Sequence, residues 1–439
     1  MQGGRARPTA SRRDANGEML PEVDRDTLMR SPRPRRDLPI APVAPDAKRR
    51  LPLAGESRAV DRRARPILAV WEITLACDLA CRHCGSRAGR ARPDELTTDE
   101  CFDLVDQLAE LGVLEVVLIG GEAYLRDDFT AVVRRIRERG MDALLTTGGR
   151  GVTGEVAERA AEAGLVSASV SVDGLGATHD RLRGVTGSFA AALAAMSHLR
   201  DAGVRVSANT QINRLSMPDL PGVLEEIAAR GAHSWQLQLT VAMGRAADEP
   251  EVLLQPYDLL ELFPMIDRLV DRCRELDVLL WPGNNLGYFG PLEEKLRGTM
   301  PRGHVVHCGA GRWGIGIEAD GTIKGCPSLA TGRWAGGNVR EHRLRDIWQR
   351  AEPLRYTRDR TVDDLWGFCR TCYYNDHCRA GCTWTAESLL GRPGNNPMCH
   401  HRALELAREG KRERLVQIEA APGLPFDHGR FELVVEPLG

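Results

Sequence analysis

Three cysteines follow the apolar run at residues 67–74 in the spacing Cys77-x3-Cys81-x2-Cys84. Three thiolates this close in sequence can hold three corners of a [4Fe–4S] cube and leave the fourth iron without a protein ligand. An open iron is a place for a cofactor or substrate, so the arrangement points to catalysis rather than to a structural site. Zinc sites are usually built on Cys-x2-Cys pairs with a fourth ligand at metal spacing, which this triplet lacks. His83 lies inside the triplet, where it would crowd the ligand set. Whatever the fold, it must therefore present a cysteine loop at the end of its first strand.

The chain has 439 residues, enough for one large or two ordinary domains. Its net charge of −2 gives no sign of a nucleic-acid or anionic-membrane partner. The opening residues contain no apolar signal-peptide core, and no apolar run reaches membrane-spanning length. The expected location is the cytoplasm, where the twelve cysteines read as metal ligands or reactive groups before disulfides. Three are in the first motif and seven in the C-terminal third. The remaining two, Cys101 and Cys273, read as core residues.

Residues 1–65 are rich in Pro and Arg and hold 16 Lys or Arg against 9 Asp or Glu. So polar a segment cannot bury enough surface to offset its ordering entropy, and it reads as a disordered basic tail, or as an arm for an acidic peptide. From residue 66 to 245 apolar runs at 67–74, 113–119, 143–147, 166–172, 204–212 and 235–240 alternate with amphipathic stretches of helical period. That alternation predicts an α/β fold with a parallel sheet and right-handed crossovers, either a partial barrel or a doubly wound sheet. Residues 246–306 read as a bridging region of helix and loop, with Leu259, Leu262, Phe263, Ile266, Leu269, Val270 and Cys273 on one helical face. Residues 307–402 hold the seven late cysteines, and 403–439 read as a charged helix with an extended tail at 431–435.

Sites in parallel α/β sheets form at the carboxyl ends of the strands. The chemistry clusters there. The triplet follows the first run, the second leads into Gly120-Gly121-Glu122, and the third ends in Thr146-Thr147-Gly148-Gly149. The fourth ends in Ser171-Val172-Asp173-Gly174, with Arg181 and Arg183 close behind. Glycines admit close backbone approach, Glu122 can accept hydrogen bonds from an ammonium, and an arginine can pair a carboxylate. An amino-acid-like ligand needs all three.

With these motifs in view, residues 67–245 resemble the core of the radical S-adenosylmethionine (radical SAM) superfamily, a partial (β/α)6 TIM-type barrel. The resemblance implies that Cys77, Cys81 and Cys84 hold a [4Fe–4S] cluster whose open iron takes the amino and carboxylate groups of S-adenosylmethionine. It also implies that Gly120, Gly121 and Glu122 engage the methionine ammonium. Ser171 and Asp173 match the fourth-strand position near the cofactor, and Arg183 the arginine near its carboxylate. His83 fills a position that is commonly aromatic.

The second constellation is Cys308-x12-Gly321-x4-Cys326, then Cys369-x2-Cys372-x5-Cys378-x3-Cys382, then Cys399. Seven thiolates suit tetrahedral zinc poorly, whereas two [4Fe–4S] clusters accept them with one iron left to another ligand. This spacing resembles the SPASM extension of radical SAM peptide maturases. By that resemblance Cys369, Cys372, Cys378 and Cys399 hold an outer auxiliary cluster, and Cys308, Cys326 and Cys382 an inner one. The resemblance further implies an oxidoreductase that cleaves S-adenosylmethionine reductively to a 5′-deoxyadenosyl radical. A precursor peptide is then the expected substrate, cross-linked by net oxidation, with a low-potential donor such as flavodoxin or ferredoxin. A small-molecule oxidoreductase or decarboxylase, or a sulfatase-type maturase, is the alternative.

Overall fold

The computed structural model describes residues 53–286, 289–298 and 307–439. All six apolar runs are strands: β1 (Leu68–Thr74), β2 (Glu115–Gly120), β3 (Asp142–Thr147), β4 (Ser167–Ser171), β5 (Arg205–Ile212) and β6 (Ser234–Leu239). Each pairs in parallel with the next in sequence. Among the helices between them, two open on a threonine whose side chain caps the first turn, Thr97 and Thr153. Before the helix Thr98–Leu111, the Thr97 hydroxyl accepts from Glu100 N–H at 3.3 Å, and Thr97 N–H donates to the Glu100 carboxylate at 2.8 Å. Gly112 ends that helix in the left-handed conformation.

The sheet is wider than the expected six strands. β7 (Leu279–Pro282) joins parallel to β6, and β8 (Gly314–Ile317) joins parallel to β1. An antiparallel continuation, β9 (Thr322–Lys324) and β10 (Ala335–Asn338), completes an open ten-stranded sheet with β10 and β7 at its edges. The cysteine-rich region thus shares a sheet with the core. β7 corrects the reading of 246–306 as helix and loop alone: four residues ending in proline are too short for alternation to register. Its helix Leu259–Glu275 does bury the seven residues named from periodicity.

Most of the segment expected to be disordered, 1–65, lies outside the described residues. Residues 53–65, however, are docked. Asp61, on the short helix Ala59–Arg63, is fully buried against Arg58, Arg355 and Arg358 at 2.9, 3.0 and 3.2 Å. Burial alone would raise its carboxyl, but these cations hold it well below the usual carboxylate range. One of the arginines that make the segment look solvated, Arg58, supplies part of that partner set. At the other end, helix His400–Arg408 leads into an antiparallel hairpin, β11 (Lys411–Glu419) and β12 (Arg430–Pro437). β11 begins Lys-Arg-Glu-Arg and gave no strand signal; its Glu413 is buried on Arg402 at 2.6 Å.

Candidate active site

The triplet loop leaves β1 at Thr74 and is tied at its neck: Cys77 N–H donates to Gly89 O at 3.1 Å, and Gly89 N–H to Leu75 O at 2.9 Å. Its middle is held by the end of helix Gly176–Arg183, whose Arg183 and Leu182 carbonyls accept from Ala80 and Arg82 N–H at 3.0 and 2.8 Å. The end of β2 presses on the same loop, with Gly121 N–H on Thr74 O at 2.8 Å and Glu122 N–H on Ala76 O at 2.7 Å. A Cβ on Gly120 would lie 2.1 Å from Thr74 O, and one on Gly121 2.0 Å from Ala76 O. The glycine pair is required by two backbones in contact, one of which carries Cys77.

Donors are aimed at all three sulfurs. Leu79 N–H reaches Cys77 Sγ and Ala88 N–H reaches Cys84 Sγ, each at 3.4 Å, and Arg183 Nη1 reaches Cys81 Sγ at 3.7 Å. Hydrogen bonds to sulfur are what a cluster's thiolates take up. Burial pushes the Cys81 thiol up to about 11 against the pull of Arg183, and burial with neighbouring thiols raises Cys77 further. Among the described residues, the group of three donors with ligand atoms within 4.8 Å of one another is Cys77, Asp78 and Glu122. His83, which could have crowded the three thiols, turns its Nε2 to Asp173 at 3.0 Å.

Glu122 is buried beside Cys77, its carboxylate accepting from the Thr147 hydroxyl and, at 2.7 Å, from Gly148 N–H. Burial pushes it up to about 7, since these neutral donors offset only part of the cost of a buried charge. A cation placed here would restore that charge. Asp173 is fully buried: one oxygen takes Gln211 N–H at 2.8 Å, and the other faces Arg183 at 2.5 Å as well as His83. Burial would raise this carboxyl, but Arg183 and His83 hold it well below the usual range. The structure therefore uses Asp173 to fix Arg183 against Cys81. Ser171, also buried, donates to Asn209 Oδ1 at 3.0 Å.

Several residues around the loop carry no motif. Arg245, just beyond β6, is buried and donates to the carbonyls of Cys81, at 2.9 Å, and Ala88. The tip of the β11–β12 hairpin lies on the loop as well. Phe426 N–H donates to Gly85 O at 3.0 Å, and Arg87 binds Asp427 at 3.1 Å and Asp248 at 2.8 Å. The Phe426 ring covers Lys324 Nζ at 3.7 Å, and that buried amine is bonded to Glu318 at 2.9 Å and Leu329 O at 2.6 Å. The only trace of this clasp in sequence is Phe426-Asp427 in an otherwise small, Pro-rich loop.

The late cysteines fall into two sets. Cys308, Cys326 and Cys382 feel one another's charge, beside an apolar wall of Leu329 and Trp334 with Tyr356 and Trp384 packed on it. Cys369, Cys372, Cys378 and Cys399 form the other set. Burial, then neighbouring thiols, pushes Cys382 up to about 12 and Cys399 up to about 11. Cys101 and Cys273 are buried in the core, away from both sets.

Residues 71–227 match the model of the radical SAM superfamily, and 308–373 that of the SPASM iron–sulfur cluster-binding domain. A mycofactocin maturase of Mycobacterium tuberculosis is 31% identical over 85% of this chain and 91% of its own. An AdoMet-dependent heme synthase of Nitratidesulfovibrio vulgaris is 29% identical over 76% and 92%. Among solved structures, Streptococcus suis SuiB bound to its precursor peptide SuiA superposes with a TM-score of 0.59 at 18% identity, covering 76% of this chain and 75% of that one. That likeness is one of fold.

Proposed function

Because this chain belongs to the radical SAM superfamily and carries an iron–sulfur SPASM domain, we propose that it oxidatively modifies, by cross-linking, a ribosomally made precursor peptide. Its cofactors are [4Fe–4S] clusters and S-adenosylmethionine. On this reading Cys77, Cys81 and Cys84 hold the first cluster, which with S-adenosylmethionine at its open iron supplies a 5′-deoxyadenosyl radical for hydrogen abstraction. Glu122 accepts the cofactor's ammonium, the cation its buried carboxylate lacks. Gly120 and Gly121 bring that carboxylate to the cysteine loop, and Ser171 lines the same strand ends. Asp173 orients Arg183, which neutralises charge at Cys81. The clasp of Phe426 and Asp427 shields the loop from water. Inner and outer cysteine sets hold the auxiliary clusters, a route for the electron that net oxidation must remove, and a flavodoxin or ferredoxin of the cytoplasm supplies the reducing one.

The similarity to mycofactocin maturase over most of the chain carries the peptide reading. The heme synthases, nearly as similar, favour a second one: oxidation or decarboxylation of a small molecule. Anaerobic co-expression with a short peptide encoded beside the gene separates the two. Loss of two hydrogens from the peptide mass is the expected result. An unchanged mass with no deuterium taken up from heavy water transfers the assignment to the small molecule.

A further inference from the structure

Between the two late cysteine sets stands a buried cation without a carboxylate. Arg360 is 3% exposed, and its Nη1 donates to the Thr383 hydroxyl at 3.1 Å, while Nε and Nη2 have no protein partner. Thr383 adjoins Cys382 of the inner set. From the other side Arg379, which adjoins Cys378 of the outer set, donates to Arg360 O at 2.8 Å. The guanidinium lies over the Tyr356 ring, 5.5 Å from its centre, and Tyr356 packs edge-on to Trp334 in the wall beside Cys308 and Cys326. The charge of Arg360 is felt by Cys369 of the outer set as well.

Two further arginines crowd the same place. Arg312 lies 3.0 Å from His307 Nε2, and its guanidinium feels Arg379. Among the described residues, none of the three forms an ion pair with a carboxylate, although most arginines of this chain do. A buried, unpaired cation costs several kcal/mol, and like charges beside it add to that. Such an arrangement persists only if negative charge arrives from elsewhere. Thiolate-ligated [4Fe–4S] clusters carry net negative charge, and the flanking donors are cysteines.

Resting on the assignment of auxiliary clusters to these two sets, we infer that Arg360 is their shared counter-charge and raises the reduction potential of both. Reduction adds one negative charge to a cluster, so a nearby cation favours the reduced state. Arg360 is a positioning residue in this sense: it acts on the clusters' electronics and touches no substrate.

The test uses the full chain, anaerobically reconstituted with iron and sulfide. Wild type, Arg360→Met and Arg360→Lys are compared by iron and sulfide content and by potentiometric titration followed by EPR. The expected result is a negative shift of both auxiliary potentials in Arg360→Met, with Arg360→Lys close to wild type. If Arg360→Met instead fails to retain auxiliary iron while Arg360→Lys retains it, the positive charge is still the requirement. Unshifted potentials in fully loaded Arg360→Met overturn the inference, as do equal losses in both variants. A wild-type chain with iron for a single cluster removes the auxiliary assignment itself, and the inference falls with it.

Discussion

Replacing Cys77, Cys81 and Cys84 together with alanine is expected to abolish 5′-deoxyadenosine formation and to remove about four iron atoms per chain. The late cysteine sets should keep theirs. The triplet sits on a loop tied at Cys77 and Gly89 and gripped by the carbonyls of Leu182 and Arg183, none of which depends on the thiols. The fold should therefore survive the substitution while the first cluster does not. Iron and sulfide analysis with product chromatography reads both quantities. Continued deoxyadenosine formation in the triple variant would place the reactive cluster elsewhere.

Gly121→Ala should be nearly as damaging, by geometry alone. The added Cβ would lie 2.0 Å from Ala76 O, 2.5 Å from Ala76 C and 2.8 Å from Cys77 Cβ. All three belong to the cysteine loop, so either β2 or the loop must give way. Overpacking of this kind costs about 1–3 kcal/mol or more, a fraction of a typical 5–15 kcal/mol stability. The chain should fold with a displaced Cys77. A misplacement of about 1 Å can cost ~10²-fold in rate, and that is the fall expected in deoxyadenosine formation, with depleted first-cluster iron. Gly154→Ala, where a Cβ meets nothing within 4 Å, is the control and should match wild type. Full iron and rate in Gly121→Ala would mean that the two backbones do not press together as described.

Local patterns were the legible part of this molecule. Alternation located β1 to β6, and a 3.6-residue period identified the buried face of Leu259–Glu275. The grouping of the late thiols came from the resemblance to the SPASM extension and not from their spacing. What stayed hidden depends on distant partners. β7 is four residues long, β8 is half glycine, and β11 opens with charges among which Arg412 and Arg414 meet Glu436 only in the folded hairpin. Residues 53–65 look like a solvated tail until Asp61 meets Arg355 and Arg358. The link from Arg87 to Asp427 spans 340 residues and leaves no periodic mark on either segment. Arg183 was legible as a residue of the site, but its orientation toward Cys81 and Asp173 was not.

The most direct measurement is the yield of 5′-deoxyadenosine and methionine when the wild-type chain, anaerobically reconstituted with iron and sulfide, is reduced with dithionite in the presence of S-adenosylmethionine. Iron for three clusters, with both products formed in equal amounts, is the predicted result. A fully loaded chain that takes up electrons and yields neither product would contradict it, leaving an iron–sulfur electron carrier in place of an enzyme.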